Sequence, residues 1–165
     1  MPRYDIPKAA PEPLRRVQLL VNSVDLENRT EWIGDWLEEN GLGEDQAERA
    51  IALRESLRAL VLANNGVRLD DASLGALNAS AKRISPQLDD RGRLSLVADG
   101  DALDAVVAVA LGAMLDGTWG RLKACRNCRW SFYDYSPNRS ATWCSMQLCG
   151  NRRKTRAYRA RRARG

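Results

Sequence analysis

The sequence has no histidine among its 165 residues, and this absence excludes several kinds of chemistry. A Ser-His-Asp triad, a Cys-His dyad and a metal site with imidazole ligands are all ruled out. No uncharged apolar run reaches the roughly 18 residues that a membrane span needs. The segment Met1–Arg16 has two prolines before Lys8 and no apolar core, which argues against a secretory signal. We therefore expect a cytoplasmic protein.

Cysteines and acidic residues are distributed unevenly along the chain. Residues 1–120 contain no cysteine, and residues 121–165 contain one acidic residue, Asp134, against 13 lysines and arginines. The net charge is +12 in the last 45 residues, −7 in the first 120 and +5 overall. Such a split is typical of a basic module that meets a polyanion, although the acidic part could instead neutralise its own tail. Both changes predict a module boundary near residue 120.

The rest of the composition, 44% apolar and 28% charged, is that of a globular protein. Four prolines indicate an irregular lead-in over residues 1–13. Apolar residues at helical spacing then predict five helices. We expect them over residues 14–26, from about Thr30 to Gly41, from about Glu44 to Asn64, after Asp70 or Asp71, and after Asp101. The run Val17–Val21 would also suit a strand.

The third helix is predicted to turn Ile51, Leu53, Leu57, Leu60 and Val61 inward. Ile84–Leu88 and Arg93–Ala98 flank a turn-forming segment and predict a small β-hairpin. Trp32 and Trp36 lie on one face of the second helix, where clustered aromatics usually pack in the core. The alternative is a ligand pocket lined by Trp32 and Trp36, with Asn22 and Arg29 as further candidate residues.

The four cysteines follow the pattern Cys125-x2-Cys128-x15-Cys144-x4-Cys149. The first pair can point into one tetrahedral site, and the 15-residue excursion has room for a hairpin such as Trp130–Tyr135 and its return. Four thiolates saturate tetrahedral zinc and leave no position for water, so the expected cofactor is structural Zn2+. Two disulfides, a redox-active cysteine pair and an iron-sulfur cluster are the rival interpretations.

Aromatic residues surround these cysteines. They are Trp119, Trp130, Phe132, Tyr133, Tyr135 and Trp143. A small metal module has little else to bury, so we expect Trp130, Phe132 and Trp143 to pack under the metal. The alternative is that one or two of the six aromatics stack on nucleic-acid bases.

The stretch Trp143-Cys144-Ser145-Met146-Gln147-Leu148-Cys149-Gly150-Asn151-Arg152 closely resembles the signature of the CGNR zinc-finger family. Cys125–Cys128 and Asp134–Ser136 also resemble that family. The resemblance implies an N-terminal ABATE domain, described as a regulator of transcription under stress. Asn22-Ser23 with Arg29, and Trp36-Leu37, resemble that domain more weakly. The implied division is an ABATE-like domain over residues 14–120 and a CGNR-type finger over residues 121–165.

The fold class predicted from these observations is mainly α (α+β). It comprises a helical N-terminal domain with a small β-hairpin, a C-terminal zinc finger with four cysteine ligands, and a basic helix over about Asn151–Arg162. Arginines lie around most of that helix, so it has little apolar face to dock and needs phosphates to relieve repulsion. The candidate nucleic-acid-binding residues are Arg139, Arg152, Arg153, Lys154, Arg156, Arg159, Arg161 and Arg162.

The function predicted is a bacterial-type DNA-binding transcription regulator, cytoplasmic and associated with the nucleoid. Its finger would bind duplex DNA through arginine–phosphate contacts, and its body would sense a small-molecule effector or form a homodimer. The alternatives are RNA or ribosome binding, and recruitment of an acidic protein partner. An enzyme ranks last, because the sequence shows no catalytic constellation and the metal would be saturated.

Overall fold

The computed structural model describes residues 8–152 and residue 155. Within them the chain forms five α-helices: α1 (Arg15–Val21), α2 (Ile33–Glu39), α3 (Ala47–Ala63), α4 (Asp71–Ala81) and α5 (Ala102–Leu115). Three antiparallel pairs of strands join β1 (Val24–Asp25) to β2 (Thr30–Glu31), β3 (Ile84–Leu88) to β4 (Leu94–Ala98), and β5 (Leu122–Ala124) to β6 (Ser131–Tyr133). The mainly helical fold with a small hairpin is confirmed. The basic helix predicted over Asn151–Arg162 lies largely outside the described residues.

Helix starts and stops follow local side-chain chemistry. The Asp70 carboxylate accepts a bond from the Ser73 backbone N–H at 2.8 Å and begins α4. The Asp101 carboxylate accepts from the N–H groups of Leu103 and Asp104 and begins α5. Gly41 and Gly66, with φ of +69° and +85°, follow the ends of α2 and α3 in the left-handed conformation that glycine adopts without strain. These boundaries agree with the sequence signals.

Two predicted boundaries near the N-terminus were wrong. The helix expected over residues 14–26 ends at Val21, and the chain continues into the β1–β2 hairpin. Thr30 does not cap α2, since it lies in β2. The Glu31 carboxylate instead accepts bonds from the backbone N–H groups of Trp32 and Ile33, at 3.1 and 3.0 Å. An acidic side chain therefore satisfies the first turn of α2.

The main core lies where α1, α3 and α5 meet. Val17, Leu20, Leu57, Val61 and Leu103 are fully buried there. The core extends past residue 120, because side chains of β5 and β6 belong to the same apolar cluster as the helices. Among the described residues, no helix is long and apolar enough to cross a membrane.

Two arginines on α3 are buried, although the sequence pattern placed Ile51 inward instead. Arg54 pairs with both carboxylate oxygens of Glu31, at 2.6 and 2.9 Å, and Arg58 donates to the Val21 carbonyl at 2.6 Å. Burial alone would lower the pKa of Arg54, but its bonds to Glu31 and Glu55 outweigh that effect and raise it. Ile51 is 36% exposed. The two arginines therefore join α3 to α1 and β2.

Candidate metal centre and nucleic-acid interface

The first cysteine pair lies in the turn between β5 and β6. Cys125 directly follows β5, and its backbone N–H donates to the Trp130 carbonyl at 2.8 Å. Arg129 has φ of +66° and returns the chain towards β6. Strand β6 therefore pairs with β5, which precedes the cysteines, and not with a strand that follows it. The prediction that β6 would pair with a return strand within the 15-residue excursion was therefore wrong.

Cys149 lies on one irregular helical turn, Met146–Gly150, and Cys144 lies two residues before that turn. The Ser145 carbonyl accepts bonds from the backbone N–H groups of Cys149 and Gly150, both at 3.0 Å. Gly150 fits closely here, because a Cβ at that position would lie 2.9 Å from the Met146 sulfur. This turn brings Cys144 and Cys149 to face the first pair.

The four cysteine sulfurs lie within 4.8 Å of one another. Cys128 and Cys144 are 3.7 Å apart, and Cys149 lies 3.6 Å from each of them. Sulfurs arranged tetrahedrally about 2.3 Å from a zinc ion would be separated by about 3.8 Å. They are much too far apart for disulfides, whose sulfurs are about 2.05 Å apart. The donor set and its spacing therefore fit structural zinc.

The pKa shifts of the cysteines also favour a bound cation. Without metal, hydrogen bonds from the thiols of Cys128 and Cys144 lower the pKa of Cys125. Hydrogen bonding to the Cys125 thiolate raises the pKa of Cys128 to about 12 and also raises the pKa of Cys144. Cys125 therefore ionises readily, whereas ionisation of Cys128 and Cys144 is favoured only when a cation binds their sulfurs. The Asn127 amide also lies 3.7 Å from the Cys149 sulfur, where it can donate a weak hydrogen bond.

A small core supports the metal cluster. Trp130 and Phe132 are buried beside Cys125, Cys144 and Cys149, so their predicted packing role is confirmed. Trp143 is half-buried against the same cluster, as is Trp32 from the N-terminal part. The ammonium of Lys8 lies 4.8 Å from the centre of the Phe132 ring.

Side-chain amides join the helices to the finger. Asn22, which is fully buried, donates to the Ser131 carbonyl at 2.9 Å and accepts from the Ser131 N–H at 2.8 Å. Gln18 also donates to the Ser131 carbonyl. Asn64 donates to the carbonyls of Trp119 and Leu122, and Asn65 exchanges two bonds with the backbone of Ala124. The hairpin that carries the first cysteine pair is therefore oriented by the helices.

Asp134, the single acidic residue of the basic segment, is fully buried. Its carboxylate accepts from the Lys123 ammonium at 2.9 Å, from Ser136 at 2.6 Å and from the Ala141 N–H at 3.0 Å. Burial alone would raise the pKa of Asp134, but the bonds from Ser136 and Lys123 outweigh it and lower the pKa to about 2. Asp134 therefore orders the loop that leads from β6 to Cys144.

The predicted nucleic-acid-binding residues fall partly within the described chain. Arg139 is exposed, with φ of +49°, and its carbonyl accepts a bond from Lys123. Arg152 is exposed and pairs with Glu27 of the β1–β2 turn, at 2.9 and 3.1 Å. Arg153, Lys154, Arg156, Arg159, Arg161 and Arg162 lie outside the described residues.

The predicted nucleic-acid-binding residues did not include Arg126 and Arg129. Arg126 lies between the two cysteines of the first pair, Arg129 directly follows that pair, and both are exposed. Their position next to the metal ligands was the signal in the sequence that could have added them. Together with Arg139 and Arg152 they are the exposed arginines of the described finger.

The residues of the predicted ligand pocket do not share one environment. Asn22 is fully engaged with Ser131, Trp36 is buried in the main core, Trp32 packs against the metal cluster, and Arg29 is exposed in the β1–β2 turn. The pocket stays a prediction. A cavity of about 810 Å3 lies elsewhere, between β4, α5 and the segment 11–16.

Two family models match the chain, one after the other. The ABATE family, described as "Putative stress-induced transcription regulator", matches residues 14–117. The CGNR zinc finger matches residues 121–162 and so includes all four cysteines. No curated protein matches the chain.

Proposed function

Because this chain belongs to the ABATE family and carries a CGNR zinc finger, we propose that it regulates transcription by binding duplex DNA. The structural zinc site holds the finger together, and arginines of the finger contact phosphates. The proposal includes a cytoplasmic protein at the nucleoid and a homodimer on two-fold DNA sites. A non-enzymatic role is also part of it, since a four-thiolate zinc has no open position for water.

One observation carries the proposal: the exposed charge of the described finger is entirely positive. Arg126, Arg129, Arg139 and Arg152 are exposed, whereas Asp134, the sole acid after residue 120, is buried against Lys123. Exposed guanidinium groups bind phosphate in a bidentate manner and release counterions from the duplex. A surface of this kind suits a polyanion.

The two cysteine pairs determine where these arginines lie. Arg126 lies within the first pair, Arg129 directly follows it, and Arg152 follows the second pair by three residues. Four ligands on one ion hold the β5–β6 turn against the turn at Met146–Gly150. Zinc thus acts on binding indirectly, by holding together the two segments that carry these arginines.

The first experiment is fluorescence anisotropy of the zinc-loaded protein with random duplex DNA and with RNA across a salt series. About five to seven phosphate contacts predict a log–log salt slope near −4 to −6 for duplex DNA. A truncation at Gly150 and a Cys144→Ser variant should both lose this binding. Absence of binding at about 50 mM salt, where the electrostatic contribution is strong, would refute the proposal.

A matched pair of double variants tests the role of the finger. Arg126→Gln with Arg129→Gln should reduce the salt slope by about 2, because each phosphate contact contributes about 0.9. Arg91→Gln with Arg93→Gln removes the same charge from the exposed turn between β3 and β4 and should leave the slope unchanged. Equal losses from both pairs would mean that net charge, not the finger, binds DNA. Stronger binding to RNA than to DNA would identify RNA as the target. Binding to a protein partner that does not depend on salt would favour protein recruitment over both nucleic acids.

A further inference from the structure

A cavity of about 150 Å3 lies between α3, α4 and α5. Its lining includes Leu57 and Leu60 from α3, Leu74 and Leu77 from α4, and Val107 and Met114 from α5. Asn78 is the single polar residue among those that line it, and no charged side chain does. The cavity is distinct from the predicted pocket at Asn22, Arg29, Trp32 and Trp36.

Helix α4 covers this cavity but packs loosely. None of its residues is buried, and Leu74 remains 45% exposed although it lines the cavity. An apolar helix face that leaves space beneath it forgoes the dispersion contacts of a filled core. A molecule that filled the cavity would restore those contacts and bring the leucines of α4 under cover.

We propose that the α3–α4–α5 cavity binds a small, uncharged, apolar molecule, such as a single aromatic or aliphatic ring. Apolar cavities of about 150 Å3 accept molecules of the size of benzene. This cavity opens to solvent beside Leu74 and Asn78, which gives such a molecule a way in. A charged ligand is excluded, because the lining offers no ion to pair with it and burial of an unpaired charge is costly. Leucine and methionine side chains adapt to rings of different shape.

The position of the cavity connects it to the finger. Helix α3 lines the cavity and is capped by Asn64, whose amide donates to the carbonyls of Trp119 and Leu122 at 2.9 and 2.8 Å. Helix α5 lines the cavity from the other side, and the chain passes from it to Trp119 within four residues. A bound molecule that moves either helix end would shift the β5–β6 hairpin. This regulatory consequence rests on the proposed function, whereas the binding itself does not.

Binding is tested on the zinc-loaded full chain by NMR of its methyl groups. Titration with benzene, indole or cyclohexane should shift the signals of Leu57, Leu77 and Met114 saturably, with a dissociation constant at or below about 1 mM. Benzoate, which has the ring and a charge, should not shift them. No saturable shift up to the solubility limit, or shifts confined to the cavity beside β4, would overturn the proposal.

Two alanines on α4 give a matched control. Ala81 lines the cavity, whereas Ala72 is exposed and does not. Ala81→Leu should weaken binding at least about tenfold by filling the space, and Ala72→Leu should leave it within about twofold. Ala110→Ile fills the same space from α5, in case the leucine at position 81 turns outward. Unchanged binding in both filling variants would refute the site.

The regulatory consequence needs a separate measurement. Saturating indole should change the DNA affinity of the wild type by about threefold or more and leave that of Ala81→Leu unchanged. A filled cavity with unchanged DNA affinity would overturn the regulatory role. Because the NMR titration contains no DNA, failure of the cavity proposal and failure of DNA binding give different results.

Discussion

The helical body, residues 8–120, and the described part of the finger, residues 121–152, are stabilised by different means. The main core contains 21 buried residues, most of them aliphatic side chains of the helices. The core of the finger has five buried residues, and three of them are cysteines. The body can hold its fold by apolar burial, whereas so small a cluster needs a metal in addition.

The two halves of the finger also differ in how they are held. Leu122, Ala124 and Tyr133 of the β5–β6 hairpin belong to the main core, and four amide side chains of the body bond to this hairpin or to Trp119 before it. The second cysteine pair has fewer such contacts, the clearest being the bond from Lys8 to the Trp143 carbonyl at 2.9 Å. One half of the finger is thus attached to the body, and the other half depends mainly on the sulfurs.

Removal of zinc should have the largest effect. Structural zinc sites contribute about 10–16 kcal/mol of apparent binding free energy, so a chelator or Cys144→Ser should unfold residues 142–152. Hydrogen exchange followed by mass spectrometry should show lost protection there, while α3 and α5 stay protected. Ser140→Ala, outside the cluster, serves as the control. Simultaneous exchange of α3 and α5 would mean that body and finger fold as one unit.

Asn22→Ala should break the attachment of the finger to the body. The change leaves the buried N–H of Ser131 without its acceptor, whereas the Ser131 carbonyl keeps its bond from Gln18. One unsatisfied buried group costs about 1–3 kcal/mol, so we expect the free energy of unfolding in urea to fall by about that amount. Asn138→Ala, an exposed asparagine in the finger, should change it little. A loss equal to that of the control would show that the hairpin does not depend on the body.

Asp134→Asn should weaken the loop that precedes the second cysteine pair. The folded pKa of about 2 lies below the unfolded value, so the unfolded chain binds more protons between them. The stabilisation, about 2–3 kcal/mol, is therefore present above about pH 4 and lost as the pH falls towards 2.

Urea unfolding followed by tryptophan fluorescence measures the Asp134 contribution. The free energies of unfolding of the wild type and Asp134→Asn should differ at pH 7. They should approach each other as the pH falls from about 4 towards 2. Asp99→Asn, an exposed carboxylate of the body, controls for the loss of one negative charge. A difference that does not depend on pH would mean that the carboxylate acts through its shape and not its charge.

The contact of Glu27 with Arg152 should give the smallest effect. Both side chains are exposed, so the pair contributes under about 1 kcal/mol to stability. Glu27→Gln should nevertheless raise DNA affinity about twofold at low salt, because it frees Arg152 for phosphate. Glu39→Gln makes the same charge change on α2, at an exposed position, and should raise the affinity less. Equal gains would show that only net charge matters.

Much of the helical body was predictable from local signals. The starts of α4 and α5, the hairpin of β3 and β4 and the ends at Gly41 and Gly66 all follow from short-range chemistry. The zinc ligands were predictable because thiolates at this spacing have few other uses in a chain without histidine. The errors came where distant residues decide the outcome, as at Val21, where the buried amide of Asn22 bonds to Ser131.

By itself the sequence determined the charge split, the metal and its ligands, and most helix boundaries, because each depends on residue types within a few positions. Only the tertiary structure decided that Arg54 and Arg58 are buried while Ile51 is exposed, since Glu31 and the Val21 carbonyl reach them from other elements. Only the tertiary structure shows that β6 pairs with β5 and that this hairpin is bonded to α1 and to the end of α3. Such contacts join residues as far apart as Gln18 and Ser131, which are 113 positions apart, a distance at which periodicity carries no information.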